Sequence, residues 1–74
     1  MDKTKKFKAF WFNGEKYSCS NLKFTMLDLI NYFNYNSTLL VVEYNNNIVV
    51  KKNWNKIIIS NGDKIEILTI VGGG

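Results

Sequence analysis

The chain has 74 residues, 46% hydrophobic and 15% aromatic, which predicts one domain with a modest core and argues against disorder. Its net charge is +4, but every cationic side chain is a lysine, and the absence of arginine disfavours nucleic-acid recognition. Without histidine, and with Cys19 as the only cysteine, the chain lacks the commonest general base, an internal disulfide and a cysteine-based zinc site. Cys19 is expected to be a small buried apolar side chain.

No segment of the sequence has the character of a membrane anchor. No apolar run approaches the roughly 20 residues that cross a bilayer. The basic N-terminus, residues 1–6, is not followed by the hydrophobic region of a signal peptide. Heavy use of Lys, Asn, Ile, Phe and Tyr suggests an AT-rich genome. These features predict a soluble protein of the bacterial cytoplasm, or of the plastid stroma if the gene is organellar.

The N-terminal half is predicted to form a hairpin and then a helix. Runs 7–12 and 15–20 have strand character, and the Asn-Gly pair between them suits the positive φ angles of a type I′ turn. Thr25 can cap a helix, with Asp28 completing an aspartate version of the capping box. Four apolar residues then recur with helical spacing, on a helix of about ten residues. They are Met26, Leu29, Ile30 and Phe33.

The second half is predicted to add three strands separated by polar turns. The first of them is nearly continuous in apolar character, as a central strand would be. In chain order the segments are a strand over 39–44, a turn over 45–47, a short strand over 48–50, a helical turn with Trp54 against the body, an apolar clamp or short strand over 57–59, a turn over 60–63 and a last strand over 64–71.

The element order β-β-α-β-β-β defines an α+β fold. A crossover helix needs a sheet face to cover, and a right-handed connection lays the following strand beside the first. The order therefore predicts a β-grasp, a mixed sheet of four to five strands packed on one helix, as a single domain over residues 1–71. Ten side chains in phase are expected to form the core. They are Phe10, Phe12, Tyr17, Met26, Leu29, Ile30, Phe33, Val42, Ile65 and Ile67.

After the last strand the sequence ends in Gly72-Gly73-Gly74. Glycine has no Cβ, so three in a row form a thin and flexible thread. Three extended residues place the carboxylate about 10 Å beyond the last anchored side chain. Taken alone, this tail has two interpretations: a frayed terminus, or a carboxylate presented to the active site of another protein.

Several short motifs occur in a fixed order along the chain. They are Phe12-Asn13-Gly14-Glu15, the helix from Thr25-Met26 through Phe33, Asn45-Asn46-Asn47-Ile48-Val49 followed by Trp54, Asn61-Gly62-Asp63 and Val71-Gly72-Gly73-Gly74. In this order the chain resembles the ThiS family, the ubiquitin-like sulfur carriers of thiamine biosynthesis. It departs from the family in having Val50-Lys51-Lys52 where a Pro-Arg pair is frequent, and in several extra N-terminal residues.

The resemblance implies a function for the tail. An E1-like adenylyltransferase (ThiF-like) would use ATP and Mg²⁺ to convert the Gly74 carboxylate into an acyl adenylate, with Gly72 and Gly73 threading its active site. Sulfur, ultimately from a cysteine desulfurase, would displace AMP, and the resulting thiocarboxylate would supply thiazole synthase (ThiG-like). The protein would then be a co-substrate, not an enzyme, with no metal or bound cofactor. It would be a monomer when free and bind neither nucleic acid nor membranes.

A docking surface is predicted from strand alternation. If Ile65 and Ile67 face the helix, then Leu68 and Ile70 face away from it, and Trp11 does so on the first strand. The first and last strands are neighbours in a β-grasp. Trp11, Leu68, Ile70 and Val71 are therefore expected to form one exposed apolar patch near the root of the tail, where partner enzymes would dock.

Three alternatives remain open from the sequence. The small subunit of molybdopterin synthase is also a β-grasp sulfur carrier ending in Gly-Gly, although it tends to be longer and to have prolines before the glycines. A ubiquitin-like modifier would share the activation of the tail. A small basic nucleic-acid-binding module would instead use lysines, with Trp11, Tyr17 or Trp54 as stacking platforms.

Overall fold

One five-stranded mixed sheet and one α-helix organise the protein, seen in a computed structural model that describes residues 7–35 and 40–69. The strand order is β2-β1-β5-β3-β4, so the last strand lies in the middle of the sheet. β1 and β5 are parallel, and the other neighbours are antiparallel. The elements are β1 Lys8–Phe12, β2 Glu15–Cys19, α1 Met26–Tyr32, β3 Leu40–Tyr44, β4 Asn47–Val49, a 3₁₀ helix Lys51–Lys56 and β5 Lys64–Thr69.

The turns form as the sequence predicts. Asn13 and Gly14 have φ angles of 52° and 84°, the left-handed values that a type I′ hairpin turn requires. Asn45 and Asn46, at 51° and 72°, make an equivalent turn between β3 and β4. Gly62, at 87°, occupies the turn that leads into β5. Because asparagine and glycine tolerate these angles, local chemistry fixes where each hairpin reverses.

The predicted capping box begins the helix. Thr25 Oγ1 accepts a hydrogen bond from the Asp28 N–H at 3.1 Å, and the Thr25 N–H donates to the Asp28 carboxylate at 3.0 Å. The helix has seven residues, which is shorter than the ten predicted from the apolar spacing. Phe33 is its C-cap, and Asn34 leaves the helical conformation with φ of 59°. Phe33, the last residue of the predicted apolar stripe, therefore packs against the core from the C-cap position rather than from within the helix.

The core lies between the sheet and the helix. Eight of the ten predicted residues are buried, while Tyr17 and Phe33 are half-buried and pack against them. The rings of Phe12 and Phe33 stack with centroids 4.8 Å apart. The buried apolar residues are Phe10, Phe12, Met26, Leu29, Ile30, Val42, Trp54, Ile59, Ile65 and Ile67.

Trp54 and Ile59 complete the core from the long connection between β4 and β5. The Trp54 indole N–H donates to the Val49 carbonyl at 3.3 Å, which satisfies its polar atom on burial. The following segment runs along the start of the helix, where the Met26 N–H donates to Ile57 O at 2.8 Å. The Ile59 N–H donates to Phe24 O at 2.9 Å. The isoleucine run is thus a clamp that closes the open end of the core.

These features confirm the predicted β-grasp. One sheet wraps around a single helix, and the first and last strands are parallel neighbours at its centre. No helix in residues 7–35 and 40–69 is long and apolar enough to cross a membrane. The predicted domain end at residue 71 and the glycine tail over 72–74 lie outside the described residues, so both stay predictions.

Candidate functional site

The described chain ends at Thr69, the last residue of β5, and the predicted reactive tail begins just beyond it. β5 pairs with β3 along its whole length, from Tyr44 opposite Ile65 to Leu40 opposite Thr69. In the sequence, the tail thus follows a strand that is paired with β3 up to its last residue. The predicted site residues Ile70, Val71, Gly72, Gly73 and Gly74 lie outside the described residues.

Asn13 extends the pairing of β5 beyond the end of β1. β1 ends at Phe12, opposite Ile65. The Asn13 N–H donates to Ile65 O at 2.9 Å, and its side-chain Oδ1 accepts from the Ile67 N–H at 2.8 Å. Sequence reasoning identified Asn13 only as a turn residue. Its bond to a strand 54 positions away depends on the fold and left no local signal.

Asp63 holds the beginning of β5. The residue is 8% exposed, and its carboxylate accepts hydrogen bonds from the Tyr44 hydroxyl at 2.7 Å, the Asn45 side-chain amide at 3.1 Å and the Ser60 N–H at 2.7 Å. The pKa of Tyr44 is raised to about 12, mainly because the side chain is partly buried and secondly because its hydroxyl donates to Asp63. Asn45 adds a second link, because its Oδ1 accepts from the Lys64 N–H at 2.8 Å. The turn before β5 is thereby tied to the end of β3.

Trp11 and Leu68 both lie on the sheet face that points away from the helix, with exposed fractions of 45% and 55%. The two are not neighbours, and the other members of the predicted patch, Ile70 and Val71, lie outside the described residues. Trp11 is opposite Lys64 at the start of β5, and Leu68 is four positions later, about 13 Å along the strand. Trp11 and Leu68 are separated because the parallel register places Trp11 at the start of β5, and the patch of four residues stays a prediction. Beside Leu68 lies Val41 of β3 instead.

Two carboxylates lie between these apolar positions. Glu66 of β5 is directly opposite Glu43 of β3, and Ile48 of β4 is opposite Glu43 on the other side. Like charges directly opposite each other in a sheet are unfavourable. Among the described residues of this face, Lys64 is the cation nearest to Glu66 along β5. The outer face thus carries a locally acidic strip on a protein whose net charge is +4.

Off this face, the side chains of Trp54, Tyr17 and Cys19 are buried or half-buried, so they offer little surface to a ligand. Trp54 is 1% exposed and Tyr17 is half-buried, so of the three stacking platforms considered above, Trp11 is the exposed one. Cys19 is half-buried at the rim of an apolar cleft of about 210 Å³, and was wrongly predicted to be buried. Within the described ranges, no group of three or more His, Cys, Asp or Glu side chains could hold a metal ion.

Lys8 is a buried cation that the sequence analysis did not single out. It lies on the inward face of β1 with Phe10 and Phe12, and its Nζ donates to Leu22 O at 2.8 Å and also to Ile59 O. Alternation along β1 places it on the inward face, but the two carbonyl acceptors come from distant loops. The ammonium therefore joins the loop before the helix to the isoleucine clamp.

The fold and this site together define a β-grasp protein whose last strand is central in the sheet, is held by side chains at its start and at Ile67, and is followed in the sequence by a glycine tail. A family model described as the ThiS family matches residues 11–74, and the chain belongs to this family. The resemblance drawn from the sequence motifs is confirmed. Family and fold together support the interpretation that the protein is a ThiS-like sulfur carrier.

Similar proteins are found among both sequences and solved structures. The chain is 58% identical to a protein designated ycf40 from Trieres chinensis, over the full length of both. It is 37% identical over 62 residues to a ycf40 protein from Porphyra purpurea, covering 84% of this chain and 86% of the relative. The crystal structure of the thiamine biosynthesis protein ThiS from Geobacter metallireducens matches with a TM-score of 0.76 at 19% identity, covering 89% of this chain and 99% of that one.

Proposed function

We propose that this protein is a sulfur carrier that acts through the carboxylate of Gly74, as a co-substrate of other enzymes in thiamine biosynthesis. The observation that carries the proposal is the ThiS family match, which extends from β1 through β5 to Gly74. The geometry supports it, because a central strand leads directly toward the tail. A tail that must enter another protein's active site benefits from a rigid base.

The chemistry requires activation, because a carboxylate is a poor electrophile. A carboxylate oxygen of Gly74 attacks the α-phosphate of ATP, and pyrophosphate leaves. A sulfur nucleophile then attacks the acyl carbon, and AMP leaves with the original oxygen. When the nucleophile is a persulfide, the product is an acyl disulfide, and a thiol must reduce its S–S bond to release the thiocarboxylate and the donor thiol. The net change in the protein is one carboxylate oxygen replaced by sulfur. The Mg²⁺ and ATP belong to the activating enzyme.

The three glycines suit this reaction physically. An acyl adenylate must be shielded from water, so the activating site has to close around it. Without side chains, the tail Gly72-Gly73-Gly74 fits a narrow channel while the globular domain stays outside. The chain supplies position and the reactive terminus, and the partner enzymes supply the catalytic groups.

The partners we propose are an E1-like, ThiF-like adenylyltransferase and a ThiG-like thiazole synthase, with a cysteine desulfurase as the ultimate sulfur source. We place the reaction in the plastid stroma, or in the cytoplasm if the source is bacterial. The ycf40 relatives in Trieres chinensis, Porphyra purpurea and Pyropia yezoensis support the plastid assignment.

Intact-mass measurement tests the proposal directly. The protein is incubated with the ThiF-like enzyme of the same organism, Mg-ATP, cysteine and a desulfurase. We expect a mass gain equal to replacement of one oxygen by sulfur. Deletion of Gly74, or a tag appended after it, should abolish the gain, while the same tag at the N-terminus should not. Thiocarboxylate formation on the C-terminally tagged chain would refute the role of Gly74.

A second step distinguishes the pathway. The thiocarboxylated protein is mixed separately with thiazole synthase and its substrates and with the large subunit of molybdopterin synthase. Consumption of the thiocarboxylate by thiazole synthase supports the thiamine role. Consumption only by the molybdopterin enzyme would replace that role while leaving the carrier chemistry intact.

A further inference from the structure

Within residues 7–35 and 40–69, the edge of β5 that faces β1 is only partly paired. Along a strand, the backbone groups of alternate residues point to the same side. On this side Ile65 O accepts from Asn13, and the Ile67 N–H donates to the Asn13 side chain. The Ile67 carbonyl and the Thr69 N–H must point the same way. β1 has ended at Phe12, and no residue within 7–35 or 40–69 pairs with these two groups.

The opposite edge of β5 shows that the open stretch is confined to one side. There β3 accompanies β5 as far as Thr69, opposite Leu40. The open stretch is short and lies immediately before the tail. Unpaired strand edges are templates for pairing with another chain. Proteins that bind extended peptides use such edges to add a strand through main-chain hydrogen bonds.

We propose that this edge, formed by the Ile67 carbonyl and the Thr69 N–H, receives an extended backbone segment of the activating enzyme as an added strand. The inference rests on the proposed function, since it concerns the enzyme that would hold the tail. Hydrogen bonds at this edge would fix both the register and the direction in which residue 70 onward leaves the sheet. The Gly74 carboxylate would then reach the nucleotide in a defined orientation.

The side chains beside this edge indicate the chemistry of the added segment. On the outer face the segment would lie next to Leu68, which calls for an apolar side chain. Glu66 is two positions earlier and is opposite Glu43. A long side chain on the added segment, placed diagonally to Glu66 on the neighbouring strand, could reach its carboxylate. Because the two carboxylates repel each other, a lysine or arginine on the segment complements them.

Amide hydrogen exchange tests the proposal without a mutation. The Thr69 amide of the ¹⁵N-labelled protein is followed by NMR, free and then saturated with the ThiF-like enzyme and a non-hydrolysable ATP analogue. We expect fast exchange in the free protein and strong protection in the complex. An amide that is already protected in the free protein, or that is equally fast in both states, would overturn the proposal.

A matched pair of variants provides the second test. Thr69→Pro removes an N–H that points to the side of β5 beyond the end of β1, where a proline does not remove a hydrogen bond to β3. Thr69→Val removes only the hydroxyl. We expect Thr69→Pro to raise the KM of the activating enzyme for its carrier about tenfold, the loss of one or two hydrogen bonds. Thr69→Val should match the unmodified chain. Equal KM values for all three would overturn the added strand.

The two proposals fail in distinguishable ways. If the unmodified protein gains sulfur but Thr69 is unprotected and Thr69→Pro has no effect, the carrier function stands and the added strand does not. If the unmodified protein gains no sulfur, the carrier function itself is wrong. Circular dichroism of Thr69→Pro confirms that the fold persists, and the exchange experiment decides the question if it does not.

Discussion

Asn13 and Asp63 are polar turn residues whose side chains hold a strand rather than only their own turn. The Asn13 side chain accepts a hydrogen bond from the Ile67 N–H. The Asp63 carboxylate accepts hydrogen bonds from the Tyr44 hydroxyl, the Asn45 side-chain amide and the Ser60 N–H. Hydrogen bonds to a charged group are stronger than neutral ones. β5 is therefore held by side chains from three separate loops, at its start through Asp63 and at Ile67 through Asn13.

The hydrogen bond between Tyr44 and Asp63 predicts a pH dependence of stability. The pKa of Tyr44 rises from 10.0 to about 12 on folding, so the folded state retains the proton more tightly. This contribution to stability is fully present below pH 10 and is lost as pH rises toward 12. Tyr44→Phe should lower the free energy of unfolding at neutral pH and lack this alkaline decline.

Urea unfolding of both proteins between pH 8 and about pH 12 measures the effect. Every other ionisable group is the same in both chains, so its contribution cancels in the difference between the two curves. We expect the two free energies of unfolding to converge as pH rises. A difference that stays constant across this range would show that the hydrogen bond does not hold the tyrosine proton.

At the scale of elements, the helix depends on its packing. Seven residues are too few for a helix to be stable alone in water, so its buried face and its capping box must maintain it. Met26, Leu29 and Ile30 are buried on that face. The helix in turn fills the concave side of the sheet. The two layers are thus expected to fold together.

Leu29→Ala should reduce the free energy of unfolding by roughly 2–5 kcal/mol, because it leaves a cavity where a fully buried side chain was. Leu22, which is 49% exposed, provides the matched control. Leu22→Ala should cost less than about 1 kcal/mol. Chemical denaturation of the two variants compares them. Equal losses in the free energy of unfolding for the two variants would mean that Leu29 of the helix does not contribute to the core as proposed.

The sequence predicted the elements well because their signals are local. The Asn-Gly turn, the capping box and the alternation of β1 and β5 depend on residues within a few positions of each other. The burial of Lys8 and Ile59 depends instead on loops far apart in the chain that meet only in the folded state. Helix length was overestimated because apolar spacing does not mark where a cap begins.

At the scale of the whole molecule, the outer face of the sheet has three zones along β5. Lys64 lies beside Trp11, Glu66 beside Glu43, and Leu68 beside Val41. The sequence correctly predicted that Trp11 and Leu68 face away from the helix. It could not place them relative to each other, because the offset between two parallel strands is set by the crossover connection rather than by alternation. The docking role itself remains a proposal.

Leu68→Glu tests whether the zone nearest the tail binds a partner. A new carboxylate there must be desolvated on docking, so we expect slower thiocarboxylate formation through a higher KM of the activating enzyme. The free energy of unfolding should change little, because Leu68 is 55% exposed. Ile58→Glu is the matched control, because Ile58 lies outside the named strands and is similarly exposed. An unchanged rate for Leu68→Glu would place docking elsewhere.

The central position of β5 also affects the order of events during synthesis. Within residues 7–35 and 40–69, β1 and β3 are not paired directly, and β5, which is synthesised after both, joins them. A nascent or prematurely terminated chain without β5 therefore cannot close its sheet or bury its core. Such chains would be open to proteolysis rather than competing with the complete carrier for the activating enzyme. The folded domain can therefore form only after β5, the strand that precedes the glycine tail in the sequence, has been synthesised.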